Sequence, residues 1–348
     1  MAQLHGMRGS LGSRGISVRS MLNYCSLVSK HRVENQMVER TQQRAILGPH
    51  TMTGGEGPLS YAQNSSYQGG IVDVAKPIIE EEITKKLDIN QLSSDGLMNS
   101  FWIADFGCST GHNSFLAMQM ITRSLQQKFQ SERLVSQIPD FYMYFNDQVT
   151  NDFNTLFRSL PPERHYQAVG LPGDYHRRLL PKASLHFAYS SWALHWLSQV
   201  PTAVADPNSP AWNKGRVLYL GARPEVVDAY SSQHAKDTET FLEARAQELV
   251  SGGLMVLVLP GVIPTSAENS NTSYTDIPTE IALIGSCLTD MAKKGELAVA
   301  HIGGDDDGNA HYFGQPVAPF CVGRRRRLEG RQRWSPPPQR LWLAVAAT

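Results

Sequence analysis

No Cys-x-x-Cys spacing occurs in the 348 residues, and no His/Cys cluster accompanies the four cysteines, Cys25, Cys108, Cys287 and Cys321. That excludes a zinc module and a disulfide framework, and the thiols read as reduced and intracellular. Charge of one sign is missing too: 32 basic residues balance 32 acidic ones, so nothing favours a nucleic-acid partner. The one concentrated basic patch, Arg324 to Arg327, sits in a tail dominated by Gly, Pro and Arg and reads as a solvated segment. The longest apolar run, Leu254 to Pro264, is too short to span a bilayer. Two common phosphate-gripping loops are also lacking. The G-x-G-x-x-G dinucleotide fingerprint is unmet, and no lysine follows Gly111 as a nucleoside-triphosphate loop requires.

What is present is a strand, a glycine-bearing loop and a helix start in FWIADFGCSTGHNSFL, residues 101 to 116. Phe101 to Phe106 is apolar apart from Asp105, which fits a buried parallel strand with an acid at its carboxyl end. Gly107 and Gly111 let the backbone approach a ligand, and Asn113 or Ser114 is placed to cap the next helix. Phe115, Met118, Ile121, Leu125 and Phe129 share one face of that helix. Open α/β sheets bind ligands at this edge. With no phosphate grip but an available acid, the loop fits S-adenosylmethionine better than a nucleotide. A second aromatic strand, Phe141 to Phe145, ends in Asn146 and Asp147, where a carboxylate can hold a ribose diol.

Five tracts in order resemble the plant SABATH methyltransferases, which methylate small-molecule carboxylates and, in one branch, xanthine nitrogens. They are Met52 to Gln68 (MTGGEGPLSYAQNSSYQ), Ile103 to Ser114, Phe145 to Pro161, Ser184 to Pro201 (SLHFAYSSWALHWLSQVP) and Arg245 to Gly261. The resemblance implies an α/β fold, a Rossmann-like class I methyltransferase parallel sheet with an α-helical cap, incomplete at the C-terminus. It places the cofactor, S-adenosylmethionine, among Ser65, Asp105, Asn113, Asp147, Gln148, Asp174 and Tyr175, and the acceptor beside Gln68, His195 and Trp196. His195 fits a backbone-satisfied core histidine as well as a pocket residue. Two departures stand out: Thr53 replaces a lysine of salicylate-type members, and Gly173-Asp174-Tyr175 replaces G-S-F.

The implied reaction transfers a methyl group to the carboxylate of a small plant acid, with no catalytic general base. The alternatives are N-methylation of a xanthine-like ring and a catalytically impaired product of a truncated gene. The expected partner is a small-molecule acid, with no nucleic acid or membrane, and the resemblance implies a homodimer. Some family members resemble magnesium binders through positions aligning with Asn213 and Asp276; the chemistry does not require the ion.

The chain divides into three parts. Residues 1–50 form an N-terminal extension, basic and serine-rich, read as disordered or as an artefact of gene prediction. A cytoplasmic location is expected, or a plastid or mitochondrial one if that extension is a transit peptide. Residues 51–295 form the methyltransferase domain with part of the cap, and alternating elements predict a parallel sheet. Beyond the first two strands these are strands at Ser184 to Tyr189 and Leu254 to Leu259, and helices at Lys76 to Leu87, Asn151 to Leu160, Ser191 to Gln199, Pro224 to Val250 and Thr279 to Lys294. Residues 296–348 show no useful periodicity and read as a disordered tail, truncated or read in another frame, lacking the last strands.

Overall fold

Strand β1, Ser100–Phe106, is the centre of the fold because its residues are apolar on both sides: Phe101, Ile103, Ala104 and Phe106 are fully buried. A computed structural model of the protein describes residues 51–92, 98–132, 138–213, 219, 222–261 and 340–347. The remaining strands are β2 (Asp140–Asp147), β3 (Gln167–Pro172), β4 (Leu185–Ser191), β5 (Leu249–Gly261) and β6 (Arg340–Ala347). They form one sheet in the order β3-β2-β1-β4-β5-β6. The first five pair parallel, and β6 pairs antiparallel with β5 from Arg340 opposite Gly261 to Ala347 opposite Leu254. The chain leaves β1 for β2 on one side and returns to β4 on the other, which opens a crevice at the carboxyl ends of β1 and β4.

Helices cover both faces. They are α1 (Tyr61–Asn64), α2 (Ser66–Lys86), α3 (Ile89–Leu92), α4 (His112–Ser131), α5 (Phe153–Arg158), α6 (Thr202–Ala205) and α7 (Pro224–Glu248). Period-two alternation sends Phe101 and Ile103 of β1, with Met143, Phe145, Phe187 and Val256, against Ile79 and Ile83 of α2 and Met118 and Leu125 of α4. Ala104 and Phe106 point the other way, joining Leu257 and Phe241 of α7. Asp105 alternates onto the α2/α4 face. Each large apolar side chain so buried contributes about 1.5–3 kcal/mol, so the frame that carries the crevice is firmly set.

Several expected elements differ. The helix expected from Lys76 begins at Ser66, ahead of Gly69, Gly70 and Pro77, which hide its periodicity. Residues Ser191 to Gln199 do not form a helix: after β4 the chain turns irregularly through Trp192, whose φ is +54°. Strand β3 was not anticipated, because it is a partly exposed edge strand containing Gly170 and Pro172. The tail is not without a strand either. Its RLWLAVAA run forms β6 and pairs with β5, a short apolar stretch submerged in a Gly-, Pro- and Arg-rich composition. Residues 1–50, the helix expected at Thr279 to Lys294, Asp276 and residues 296–339 lie outside the described residues. No helix among the described residues is long and apolar enough to cross a membrane.

Candidate active site

The crevice holds a cleft of about 340 Å³, counting the part open to solvent, lined by Tyr61, Gln68, Asp105, Gly107, Cys108, Asn113, Ser114, Tyr189 and Ser191 among others. Glycine is required where β1 leads into it. Gly107 has φ +92°, and a Cβ there would fall 2.2 Å from the Ala193 Cβ. Gly111 has φ +103° and occupies the N-cap of α4. Neither Asn113 nor Ser114 caps that helix, contrary to expectation: Asn113 Nδ2 donates to the Ser65 carbonyl at 3.1 Å, and Ser114 Oγ donates to the Cys108 carbonyl at 3.1 Å. Both side chains tie neighbouring segments to the cleft instead.

Asp105 is 2% exposed, and its Oδ2 has no hydrogen-bond partner. Burial pushes its carboxyl up to about 7; the Ser114 hydroxyl pulls the other way, and the charge of Asp147 adds to the rise. Gln68 Oε1 is likewise buried without a partner. Unmet buried polar atoms are costly in a folded protein. With the Tyr189 hydroxyl, also buried without a partner, three in one cleft mark a place prepared for a polar ligand.

Asp147 stands at the end of β2. Its Oδ2 accepts the Ser109 N–H at 2.7 Å and its Oδ1 accepts the Gln148 N–H at 2.8 Å. Burial raises its pKa even so, those two bonds lowering it. Asn146, which sequence reasoning passed over, is fully buried and acts as a clamp. Its carbonyl accepts the Gly107 and Cys108 N–H groups at 2.9 Å, and its Nδ2 donates to the carbonyls of Leu171 at 2.7 Å and Gly173 at 3.0 Å. The loops after β1, β2 and β3 are thereby fixed to one another.

The other expected residues are placed unequally. Asp174 points outward with its side chain 52% exposed, accepting from the His176 N–H at 2.9 Å and pairing with His176 Nδ1 at 2.8 Å. Tyr175 is spent on packing: its ring meets Phe241 edge-on and its hydroxyl donates to the Ala193 carbonyl at 3.1 Å. His195 and Trp196 are not among the cleft-lining residues. They follow Trp192, which meets Tyr67 edge-on at 5.2 Å, and His195 lies between Trp192 and Trp196. His195 Nδ1 is buried without a partner, and burial, helped by His234, pushes the ring down to about 4, so it is neutral at physiological pH. Asn213 is buried and its backbone N–H donates to Val204 at 3.1 Å. No group of three or more His, Cys, Asp or Glu residues that could hold a metal occurs among the described residues. Tyr61 and Tyr189 were missed as lining residues; Tyr61 lies in the quoted tract Met52 to Gln68, which was the available signal.

Residues 49–303 match the family described as SAM dependent carboxyl methyltransferase. The chain belongs to that family. Loganic acid O-methyltransferase of Catharanthus roseus is 47% identical over 246 residues, 71% of this chain and 65% of that enzyme. Farnesoic acid carboxyl-O-methyltransferase of Arabidopsis thaliana is 46% identical over 245 residues, 70% of this chain and 67% of the other. Paraxanthine methyltransferase 2 of Arabidopsis thaliana is 41% identical over 248 residues, 70% and 67% of the two chains. Among solved structures, loganic acid methyltransferase with SAH superimposes with a TM-score of 0.67 at 43% identity, over 77% of this chain and 72% of that one. The match thus spans about two thirds of these relatives' own length.

Proposed function

We propose that the chain transfers a methyl group from S-adenosylmethionine to the carboxylate of a small plant acid, giving a methyl ester. The observation that carries this is the cleft at the β1/β4 crevice, where the buried Asp105 Oδ2 and Gln68 Oε1 are unpartnered. It occurs in a family member 47% identical to an acid O-methyltransferase. The residues fit the cofactor: Gly107 and Gly111 keep the backbone open, Asp105 offers a carboxylate to an ammonium, and Asp147 offers one to ribose hydroxyls. Asn113 and the Ser65 backbone support that side, and Gln148, Asp174 and Tyr175 belong to the loops around it. When bound, S-adenosylmethionine supplies an electrophilic methyl group on a positively charged sulfur.

An acceptor acid with a pKa near ~4 is already ionised at neutral pH, so no general base is needed. The protein's part is alignment, which can be worth up to ~7–11 kcal/mol of the barrier. Gln68 can donate through its amide to one carboxylate oxygen, and the buried, unpartnered indole N–H of Trp192 is a second donor of the right kind; His195 and Trp196 are the acceptor-side residues that the family resemblance implies. The edge-on pair of Tyr67, next to Gln68, and Trp192 favours an extended apolar acid over salicylate, as does Thr53 where salicylate-type members carry lysine. Magnesium has no step in this scheme. A cytoplasmic homodimer is the accompanying proposal, consistent with scattered cysteines and the family resemblance.

A second reading, N-methylation of a xanthine-like ring, is favoured by the 41% identity to a paraxanthine methyltransferase. Incubation with methyl-labelled cofactor and a panel of loganate, farnesoate, jasmonate, salicylate, benzoate and xanthines separates them. Label in a base-labile ester of a non-aromatic acid is expected. Label on a ring nitrogen alone would overturn the acid assignment, and salicylate as the best acceptor would overturn the preference for an extended apolar acid.

A further inference from the structure

The segment 51–61 leads into the cleft-lining Tyr61 with little burial of its own: Thr53, Glu56, Gly57, Pro58 and Leu59 are exposed, and only Ser60 is buried. A segment of this kind is held by its polar ties rather than by packing. One side chain supplies the central tie. The Asp152 Oδ2 accepts the Gly55 N–H at 2.9 Å, while its Oδ1 accepts the Thr155 N–H at 2.9 Å and so caps α5. The chain passes in contact with it, because a Cβ on Gly54 would lie 2.5 Å from the Asp152 Cβ. Beside this grip the hydroxyls of Thr51 and Thr150 pair at 2.5 Å.

The grip is transmitted to the cleft at both ends. On the segment, the Thr53 carbonyl accepts the Tyr61 N–H at 2.9 Å, closing a loop that ends on the cleft-lining Tyr61, followed by Gln68 in α2. Beneath it, Asn151 Nδ2 donates to the Ser109 carbonyl at 2.7 Å, and the Ser109 N–H donates to Asp147. Asp152 thus links the 51–61 segment to the loops expected to hold the cofactor.

We propose that Asp152 is a positioning residue for the cleft: by holding Gly55 from the start of α5 it seats the 51–61 segment, so that Tyr61 and Gln68 close over bound ligand. The inference rests on the reading of this cleft as a cofactor site. Asp152 itself touches neither cofactor nor acceptor in this account. Its loss lets the segment lift, so that the ligand dissociates faster while the sheet below stays formed.

The test separates the grip from the helix cap. In the full chain, Asp152→Ala removes both; Gly54→Ala drives a methyl group against the Asp152 side chain and so forces segment and carboxylate apart with the Thr155 N–H still available for the cap; Thr155→Val removes the hydroxyl bond to the same Oδ2 and keeps the backbone cap. S-Adenosylhomocysteine affinity is measured by calorimetry, and amide hydrogen exchange is followed over residues 53–61 with and without it. Asp152→Ala and Gly54→Ala are expected to weaken binding at least about tenfold and to speed exchange of the segment, with Thr155→Val within about twofold of wild type. If Asp152→Ala and Thr155→Val weaken binding equally while Gly54→Ala is silent, Asp152 is a helix cap only and the proposal fails. Should Asp152→Ala not fold, Gly54→Ala against Thr155→Val decides alone. Should the wild type not bind S-adenosylhomocysteine, the cofactor reading has failed, and exchange in the unliganded Gly54→Ala chain still decides whether the grip exists: unchanged exchange refutes it.

Discussion

Replacing Asp105 by Asn is expected to stabilise the free protein and weaken its grip on cofactor, in opposite directions with pH. The wild-type carboxyl is raised from 3.8 to about 7 by burial. Below about pH 4 the group is protonated in folded and unfolded chains alike and contributes no difference. As pH rises the unfolded chain ionises first and binds fewer protons than the native one, so stability falls, and the full penalty is present above about pH 7. At ~1.4 kcal/mol per pH unit the interval amounts to on the order of 4 kcal/mol. The amide lacks this titration but brings an N–H donor into a site built around acceptors, at about 1–3 kcal/mol.

The variant should therefore melt a few degrees higher than wild type at pH 8 and no higher at pH 4, read by thermal scans across that range. Its affinity for S-adenosylhomocysteine should fall by roughly tenfold or more at pH 8, since a hydrogen bond to a charged group is worth about 1.5–3 kcal/mol. Wild-type affinity should climb with pH through about 7, and that of the variant should stay flat. A wild-type affinity independent of pH between 5 and 9, together with no gain in melting temperature, would refute the reasoning that Asp105 is a buried carboxyl awaiting a cationic ligand.

Three further outcomes follow from particular contacts. Asp147→Ala strips the Ser109 and Gln148 N–H groups of their acceptor, so cofactor affinity should drop at least about tenfold, with a stability loss of about 1–3 kcal/mol per stranded donor in urea melts. Arg245→Met leaves Glu248, fully buried with its Oε2 2.8 Å from Arg245 Nε, without its counter-charge and frees the carbonyls of Tyr175 and Arg177; a loss of about 3–5 kcal/mol is expected in the same assay, partly restored by adding Glu248→Gln. Removing residues 340–347 uncovers the β5 edge from Leu254 to Gly261, and light scattering should show aggregation at concentrations where the full chain stays clear.

How much of this was legible in the sequence depended on whether a residue's role is set by its neighbours along the chain. Strands β1 and β2 and helix α4 announce themselves as continuous or periodic apolar runs, and all five predicted face residues of α4, Phe115, Met118, Ile121, Leu125 and Phe129, are buried. The position of Asp105 at the end of β1 follows from the same local pattern. Strand β3 lacks that signal because an edge strand needs only one paired side, and the turn after β4 imitates a helix because Trp192 and Trp196 lie four residues apart and Leu194 and Leu197 three. Their side chains are placed instead by a left-handed Trp192 whose N–H reaches Val258 on β5 at 2.9 Å.

The polar framework of the site was the least legible part, for a physical reason. Asn146 reaches Leu171 and Gly173, Asn151 reaches Ser109, Asn113 reaches Ser65 and Asp152 reaches Gly55. Each bond joins loops at the carboxyl edge that lie tens of residues apart, and each donor or acceptor is an Asn or Asp that in isolation reads as an ordinary turn residue. Only when the parallel sheet brings the ends of β1, β2 and β3 to one edge do these side chains acquire partners. The sheet order decides which loops meet, and these amides and carboxylates decide how firmly they are held. Substitution of Asn146 should accordingly disturb the cleft more than substitution of the exposed Asp174, although the family resemblance pointed to Asp174 and not to Asn146.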